Sequence, residues 1–246
     1  MAKLTVSTRE IGSVRVFDLI GEPTEESVQE VAWRIQRNIE RHRLQRIILN
    51  LQLLSSLGPL GLRKLLAACI RPQKSLIFGA SADIRSFLES TYVPRNVRIC
   101  NSEKEVAEDL GPFLLEKDGD TGFPKEGPFM RPDSLGYQVE KRRSKRMRVA
   151  LPIDLKIQLP TGSELLTRAI ATNISEGGVF AEYLDLEATE KIEGLDVSQG
   201  LPAAIVIFPS TNFPEEYRLK GKLIRKQLNK KQLGVAVEFI GEDAAA

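Results

Sequence analysis

Gly119-Asp120-Thr121-Gly122-Phe123-Pro124-Lys125-Glu126-Gly127-Pro128-Phe129-Met130-Arg131-Pro132-Asp133-Ser134-Leu135-Gly136 is the centre of a stretch, residues 116–140, where apolar periodicity stops and glycine and proline accumulate. Glycine frees the backbone and proline removes an amide donor, so neither a helix nor a strand ladder propagates through it. It reads as a linker, and the pattern on its two sides differs. Before it, strand-like runs alternate with helical ones; after it, only short strand-like runs follow.

Upstream, Leu4-Val6 and Val14-Val16-Phe17-Leu19 flank the turn Ile11-Gly12-Ser13 as a hairpin. Thr24 caps a helix whose first turn carries Glu25 and Glu26 and whose Val28, Val31, Ala32, Ile35 and Ile39 share one face, with Trp33 beside that stripe. Arg46–Leu51 is an apolar run suited to a buried strand, and Gly58-Pro59-Leu60-Gly61-Leu62 opens a second helix reaching about Ile70. Ser75–Gly79 and Val97–Ile99 read as further strands. Ser81 caps a helix between them, and Ser102-Glu103-Lys104-Glu105 is a capping box opening a last one. Alternation of this kind predicts an α/β layer fold. Downstream, strands are expected at Val149–Leu159, Leu166–Thr172, Gly178–Tyr183, Ala203–Phe208, Arg218–Arg225 and Gly234–Phe239, with no long helix, which predicts a small six-stranded barrel or sandwich.

The chain has 246 residues, 42% hydrophobic and 28% charged, enough to bury two modest cores and too apolar for disorder. No run approaches a membrane span, and Met1–Glu10 lacks the layout of a secretory signal, so the expected location is the cytoplasm. One histidine, His42, and two distant cysteines, Cys69 and Cys100, exclude a zinc site of the usual kind. Ser-His or Cys-His catalysis would need His42, which in Arg41-His42-Arg43 suits a helix C-terminus instead. With no HExxH, GxGxxG or GxxxxGK[ST], nothing in the sequence indicates an enzyme, a metal or a resident cofactor.

A net charge of +2 hides a local concentration: Lys141-Arg142-Arg143-Ser144-Lys145-Arg146-Met147-Arg148 holds six basic residues in eight. Such a run suits a polyanion, whether nucleic acid, anionic lipid or a phosphate-bearing small molecule. Within it, Arg142 and Arg146 form Arg-x-x-x-Arg, and an arginine fork grips phosphate oxygens or the O6/N7 edge of guanine. Twenty-seven residues after Arg146, Asn173-Ile174-Ser175-Glu176-Gly177-Gly178 reads as a polar turn between two apolar strands, its glycines letting a ligand approach the backbone.

That pair, in that order, resembles the PilZ family, whose domains bind the bacterial second messenger cyclic di-GMP. The resemblance covers about residues 140–243 and includes Leu233–Phe239 as a closing strand. It implies that Arg142 and Arg146 take guanine and phosphate, that Asn173 and Ser175 face the other guanine, and that Gly178 keeps the turn open. One nucleotide or a stacked pair would fit the expectation, with Arg143 or Arg148 as extra contacts. Residues 3–115 resemble a STAS domain of the anti-sigma-factor antagonist type, through the hairpin–helix–strand–helix order and the tracts Leu49-Asn50-Leu51 and Gly58–Leu62. Pro59 and Leu60 stand where that family has serines, so control by phosphorylation there is not expected. Ser55 and Ser56 precede the turn and read as ordinary loop residues.

The resulting expectation is an α/β STAS-like domain (1–115), a Gly/Pro-rich linker (116–140) and an all-β PilZ-like six-stranded barrel (141–243). The site residues are Arg142, Arg146, Asn173, Ser175 and Gly178, with no catalytic or metal-ligating residue. Ligand and partners would be cyclic di-GMP, an unidentified protein on the STAS-like domain, and a second copy in a homodimer. Two alternatives stand beside this bacterial signalling receptor: a nucleotide-independent adaptor, and a nucleic-acid binder using Lys141–Arg148, whose affinity would fall steeply with salt. No aromatic residue in that run supplies base stacking, which disfavours nucleic acid.

Overall fold

The structure, a computed structural model, describes residues 3–54, 56–91, 93–115, 146–209, 215–229 and 232–240. The stretch 116–140, Lys141, Arg142, Arg143, Lys145 and Ser55 lie outside the described residues.

Strands β1 (Thr5–Ile11) and β2 (Val14–Gly21) form the expected hairpin. Its turn needs glycine: Gly12 has φ +59°, and a Cβ there would collide with the Leu114 backbone. Helix α1 (Glu25–His42) starts at a reciprocal cap, in which the Thr24 and Ser27 side chains each accept from the other residue's amide. It is followed by β3 (Arg46–Leu54), α2 (Pro59–Ala68), β4 (Lys74–Phe78), α3 (Ala82–Ser90), β5 (Val97–Cys100) and α4 (Glu103–Leu115). Strands β2 to β5 pair in parallel, in the sheet order β1-β2-β3-β4-β5.

Helical crossovers cover a parallel sheet on both faces, so β3 is apolar on both. Its Ile47, Leu49 and Leu51 pack against Val31 and Ile35 of α1, Leu65 of α2 and Leu88 of α3, while Ile48 faces the other way. Full burial of each such side chain contributes about 1.5–3 kcal/mol. Among the described residues no helix is long and apolar enough to cross a membrane.

The C-terminal part is a closed barrel of β6 (Met147–Gln158), β7 (Glu164–Ser175), β8 (Gly178–Glu182), β9 (Leu201–Ile207), β10 (Tyr217–Asn229) and β11 (Gln232–Phe239), ordered β10-β11-β8-β7-β6-β9 with every pairing antiparallel. Closure leaves no unpaired sheet edge. One helix was not expected: α5 (Leu186–Glu193) lies between β8 and β9, capped by the Asp185 carboxylate on the amides of Glu187 and Ala188. Its Ile192 enters the barrel core beside Tyr183 and Val235.

Barrel and sheet share a third apolar cluster. Ile11, Val16, Ile48 and Leu76 of the sheet and Leu110 and Leu114 of α4 enclose Ile170 and Leu184 of the barrel. At its edge lies a buried polar network. Arg9 (4% exposed) donates from Nε and Nη2 to both carboxylate oxygens of Asp18 (1% exposed), at 2.8 and 3.1 Å, and from Nη1 to the carbonyl of Tyr183. Asn50 donates to Asp18 at 3.0 Å and to the carbonyl of Leu184 at 2.8 Å. Gln52 donates to the Asp185 carboxylate and accepts from the amide of Leu186. The sheet therefore grips four consecutive residues of the barrel, 183–186.

Candidate functional site

Asn173 and Ser175 are strand residues, which corrects their reading as a turn between strands. β7 continues three residues past Thr172, and only Glu176-Gly177 turn the chain, with Ser175 opposite Gly178 and Asn173 opposite Phe180. A register shift between Ala171 and Asn173 puts both polar side chains, half-buried, on the outer surface. Ser175 Oγ donates to the carbonyl of Gly178 at 3.4 Å. Gly178 has a packing reason to be glycine, because a Cβ there would collide with the carbonyl oxygen of Val237 on β11. Arg148 lies opposite Asn173 on β6, and Arg146 just precedes that strand.

Arg146, Asn173, Ser175 and Gly178 line a single cavity of about 460 Å³ on the outside of the barrel. Four of the five expected site residues are thus brought together; Arg142 lies outside the described residues. The far wall comes from residues that the sequence reading did not connect with the site: Phe180 on β8, Ile224, Arg225 and Gln227 on β10, and Gln232 and Glu238 on β11.

These residues meet because β10, β11 and β8 are adjacent in the barrel though separated in sequence. Phe180, Ala236 and Arg225 stand in direct register across the three strands, and the Arg225 guanidinium lies 5.8 Å from the centroid of the Phe180 ring. A register irregularity between Leu223 and Arg225 sets the facing. Unbroken alternation from the buried Leu223 would carry Arg225 into the core; the extra residue, Ile224, turns it out. The floor is low. Ala236 is small, and Gly234 gives space to the Phe180 ring, whose atoms a Cβ would meet at 2.8 Å. Gln227 donates to Gln232, which donates to the buried carboxylate of Glu182, bracing this side.

Among the described residues the site combines two exposed guanidinium groups, an aromatic face, side-chain amides and one carboxylate, Glu238. That set can bind a phosphate-bearing ligand with planar bases through forks and stacking. Among the described residues that line the site there is no cysteine, histidine or lysine. Elsewhere, burial pushes the thiols of Cys69 and Cys100 up to about 12, and Asp109 and Glu105 add to the effect at Cys100, so both stay protonated at neutral pH. His42 sits in the last turn of α1, as expected. Pro59 and Leu60 open α2 behind Gly58, which provides no side-chain cap, and Leu60 and Ser56 are exposed.

No family profile matches the chain, and neither does any curated protein. Among solved structures it is similar to the Bacillus subtilis inhibitor of motility (MotI/DgrA), at 19% identity and TM-score 0.31, covering 43% of this chain and 45% of that one, less than half of its length. It is similar to the PilZ domain, with c-di-GMP, of YcgR from Escherichia coli, at 20% identity and TM-score 0.30, covering 43% and 82%. It is also similar to the phosphorylated form of the Bacillus cell fate determinant SpoIIAA, at 15% identity and TM-score 0.35, covering 43% and 99%.

Proposed function

We propose that this chain is a non-enzymatic cytoplasmic signalling receptor that binds cyclic di-GMP on the outside of its barrel and passes the signal to a protein partner of its sheet-and-helix part. One observation carries the reading: Arg146, Asn173, Ser175 and Gly178, singled out in sequence as a nucleotide-binding set, line one cavity of about 460 Å³. Arg146 grips phosphate or the O6/N7 edge of one guanine, joined by Arg142 from the preceding segment, and Asn173 and Ser175 meet the other base. The signal is a change in how barrel and sheet are oriented. A ligand moves such an equilibrium only by its differential affinity for the two arrangements, so the contacts of Arg9, Asn50 and Gln52 with residues 183–186 are those it must work against.

Calorimetric titration of the full chain with cyclic di-GMP at near-physiological salt tests this, with GTP and single-stranded DNA as controls. The expected result is selective binding at one or two nucleotides per chain. Arg146→Ala should weaken it roughly ten- to a hundredfold through loss of a charge-assisted hydrogen-bond set. Wild-type affinity in Arg146→Ala would overturn the site. Absence of binding would leave the adaptor reading, and DNA affinity falling steeply with salt would replace both with nucleic-acid binding.

A further inference from the structure

The wall opposite Arg146 has chemistry that the motif residues do not use. Phe180, Ala236 and Arg225 form one row across β8, β11 and β10, and the next row along the same face is Glu182, Gly234 and Gln227. Small residues thus occupy the middle strand in both rows, between a ring and a guanidinium in the first and between a carboxylate and a side-chain amide in the second. The result is a shallow trough across the barrel surface. Gly234 fixes the depth at which the ring sits, since a side chain there would displace it. Ile224, pushed outward by the register irregularity, is 47% exposed and adds an apolar lip to the same cavity. A half-buried ring and an exposed branched apolar side chain beside two exposed arginines make a surface on which a planar base can stack.

We propose that this trough is a purine-base slot and that Arg225 selects guanine over adenine in it. The base lies on the Phe180 face and the Ile224 methyl groups. The Arg225 fork, exposed and free to swing aside at little cost, donates to O6 and N7 of guanine; adenine has a donor, N6–H2, where guanine has O6. Glu238, lining the same cavity, is an acceptor suited to the N1–H and N2–H2 edge of guanine. The ring supplies affinity for either purine, and Arg225 and Glu238 supply the choice. The inference rests on the nucleotide-receptor reading and names what determines its specificity.

The test is titration of the full chain with cyclic di-GMP and cyclic di-AMP, for wild type, Arg146→Ala, Arg225→Ala and Phe180→Leu. Thermal unfolding identifies any variant that has lost its fold. Wild type should prefer cyclic di-GMP. Arg225→Ala should lose roughly five- to a hundredfold of that preference. Phe180→Leu should weaken both ligands by a similar factor, as loss of one base–aromatic stack does, with their ratio kept within about twofold. Because Arg225 is exposed, its variant decides the matter even if Phe180→Leu fails to fold. Wild-type selectivity in Arg225→Ala, alongside lost binding in Arg146→Ala, overturns the slot and leaves the receptor reading standing. No binding of either nucleotide by wild type overturns both.

Discussion

Strand β8 starts in one polar setting and ends in another. At its beginning, Arg146, Asn173 and Arg225 face an open cavity with donors turned toward solvent. At its end, Arg9, Asp18 and Asn50 are sealed, and their forks, carboxylate oxygens and amide are spent on one another or on the carbonyls of Tyr183 and Leu184. The same residue types thus do opposite things. A charge taken out of water must find its partner within the fold, whereas a charge left at a wet rim keeps its capacity for a ligand. Arginine marks a binding site only when its partner is not already in the chain.

The strongest way to break this contrast is Arg9→Met, which leaves Asp18 buried with Asn50 as its remaining side-chain donor. It should cost about 3–5 kcal/mol of stability, read as a fall in the urea midpoint. Arg9→Met combined with Asp18→Leu should recover most of that loss, because the uncompensated charge is gone. Arg146→Ala should leave the unfolding free energy within about 0.5 kcal/mol of wild type while weakening the binding of cyclic di-GMP. Equal stability losses in Arg9→Met and Arg146→Ala would erase the distinction.

Glu103 sharpens the contrast, being a buried acid whose charged form burial disfavours. It is 5% exposed at the start of α4 and lines a second cavity, of about 250 Å³, with Pro152, Asp154, Arg168 and Phe208 of the barrel. Burial raises its carboxyl pKa above the ordinary value; its own backbone hydrogen bond and Arg168 pull it back, and Asp185 and Asp154 add to the rise. A raised acid favours the fold fully below the ordinary glutamate value of 4.5, and that contribution is lost as pH climbs through the raised one. Glu103→Gln should therefore be more stable than wild type at pH 7, with the gain closing as pH falls through the raised value toward 4.5 and absent below it, in urea titrations across that range. A gain independent of pH would show that packing is responsible.

The smallest effect is expected at Tyr183, whose buried hydroxyl has no hydrogen-bond partner among the described residues and whose pKa burial pushes upward. Tyr183→Phe removes an unsatisfied group and keeps the ring, so thermal unfolding should show a change between zero and a gain of about 1 kcal/mol. The carbonyl that Arg9 holds is untouched. A clear loss of stability would mean that the hydroxyl does have a partner.

What the sequence made legible was local. Thr24, Ser81 and Ser102 cap the helices they were expected to cap, because a cap is decided within four residues. The six barrel strands were legible through alternation. Helix α5 was missed because eight residues carry barely two turns of pattern, although Asp185 before Leu186, Ala188 and Ile192 is its signature. Half of the candidate site was legible for the same reason as the caps: Arg146, Asn173, Ser175 and Gly178 fall in two short motifs. The other half was not, since Phe180 and Arg225 become neighbours only through the order β10-β11-β8, and an irregularity of one residue decides which way Arg225 faces. Asn50, noted only within a family-like tract, turns out to hold the barrel.

The hairpin at Glu176-Gly177 carries one further consequence. From Gly178 onward the chain counts in twos: Val179, Ala181 and Tyr183 fill the barrel, and Phe180 and Glu182 stand outside it. Inserting or deleting a single residue between Gly178 and Tyr183 would exchange the two sets, driving an acid and a ring into the core and withdrawing the carbonyl that Arg9 grips. This segment can drift in identity but not in length, and its parity, more than any one side chain, joins the two polar settings at its ends.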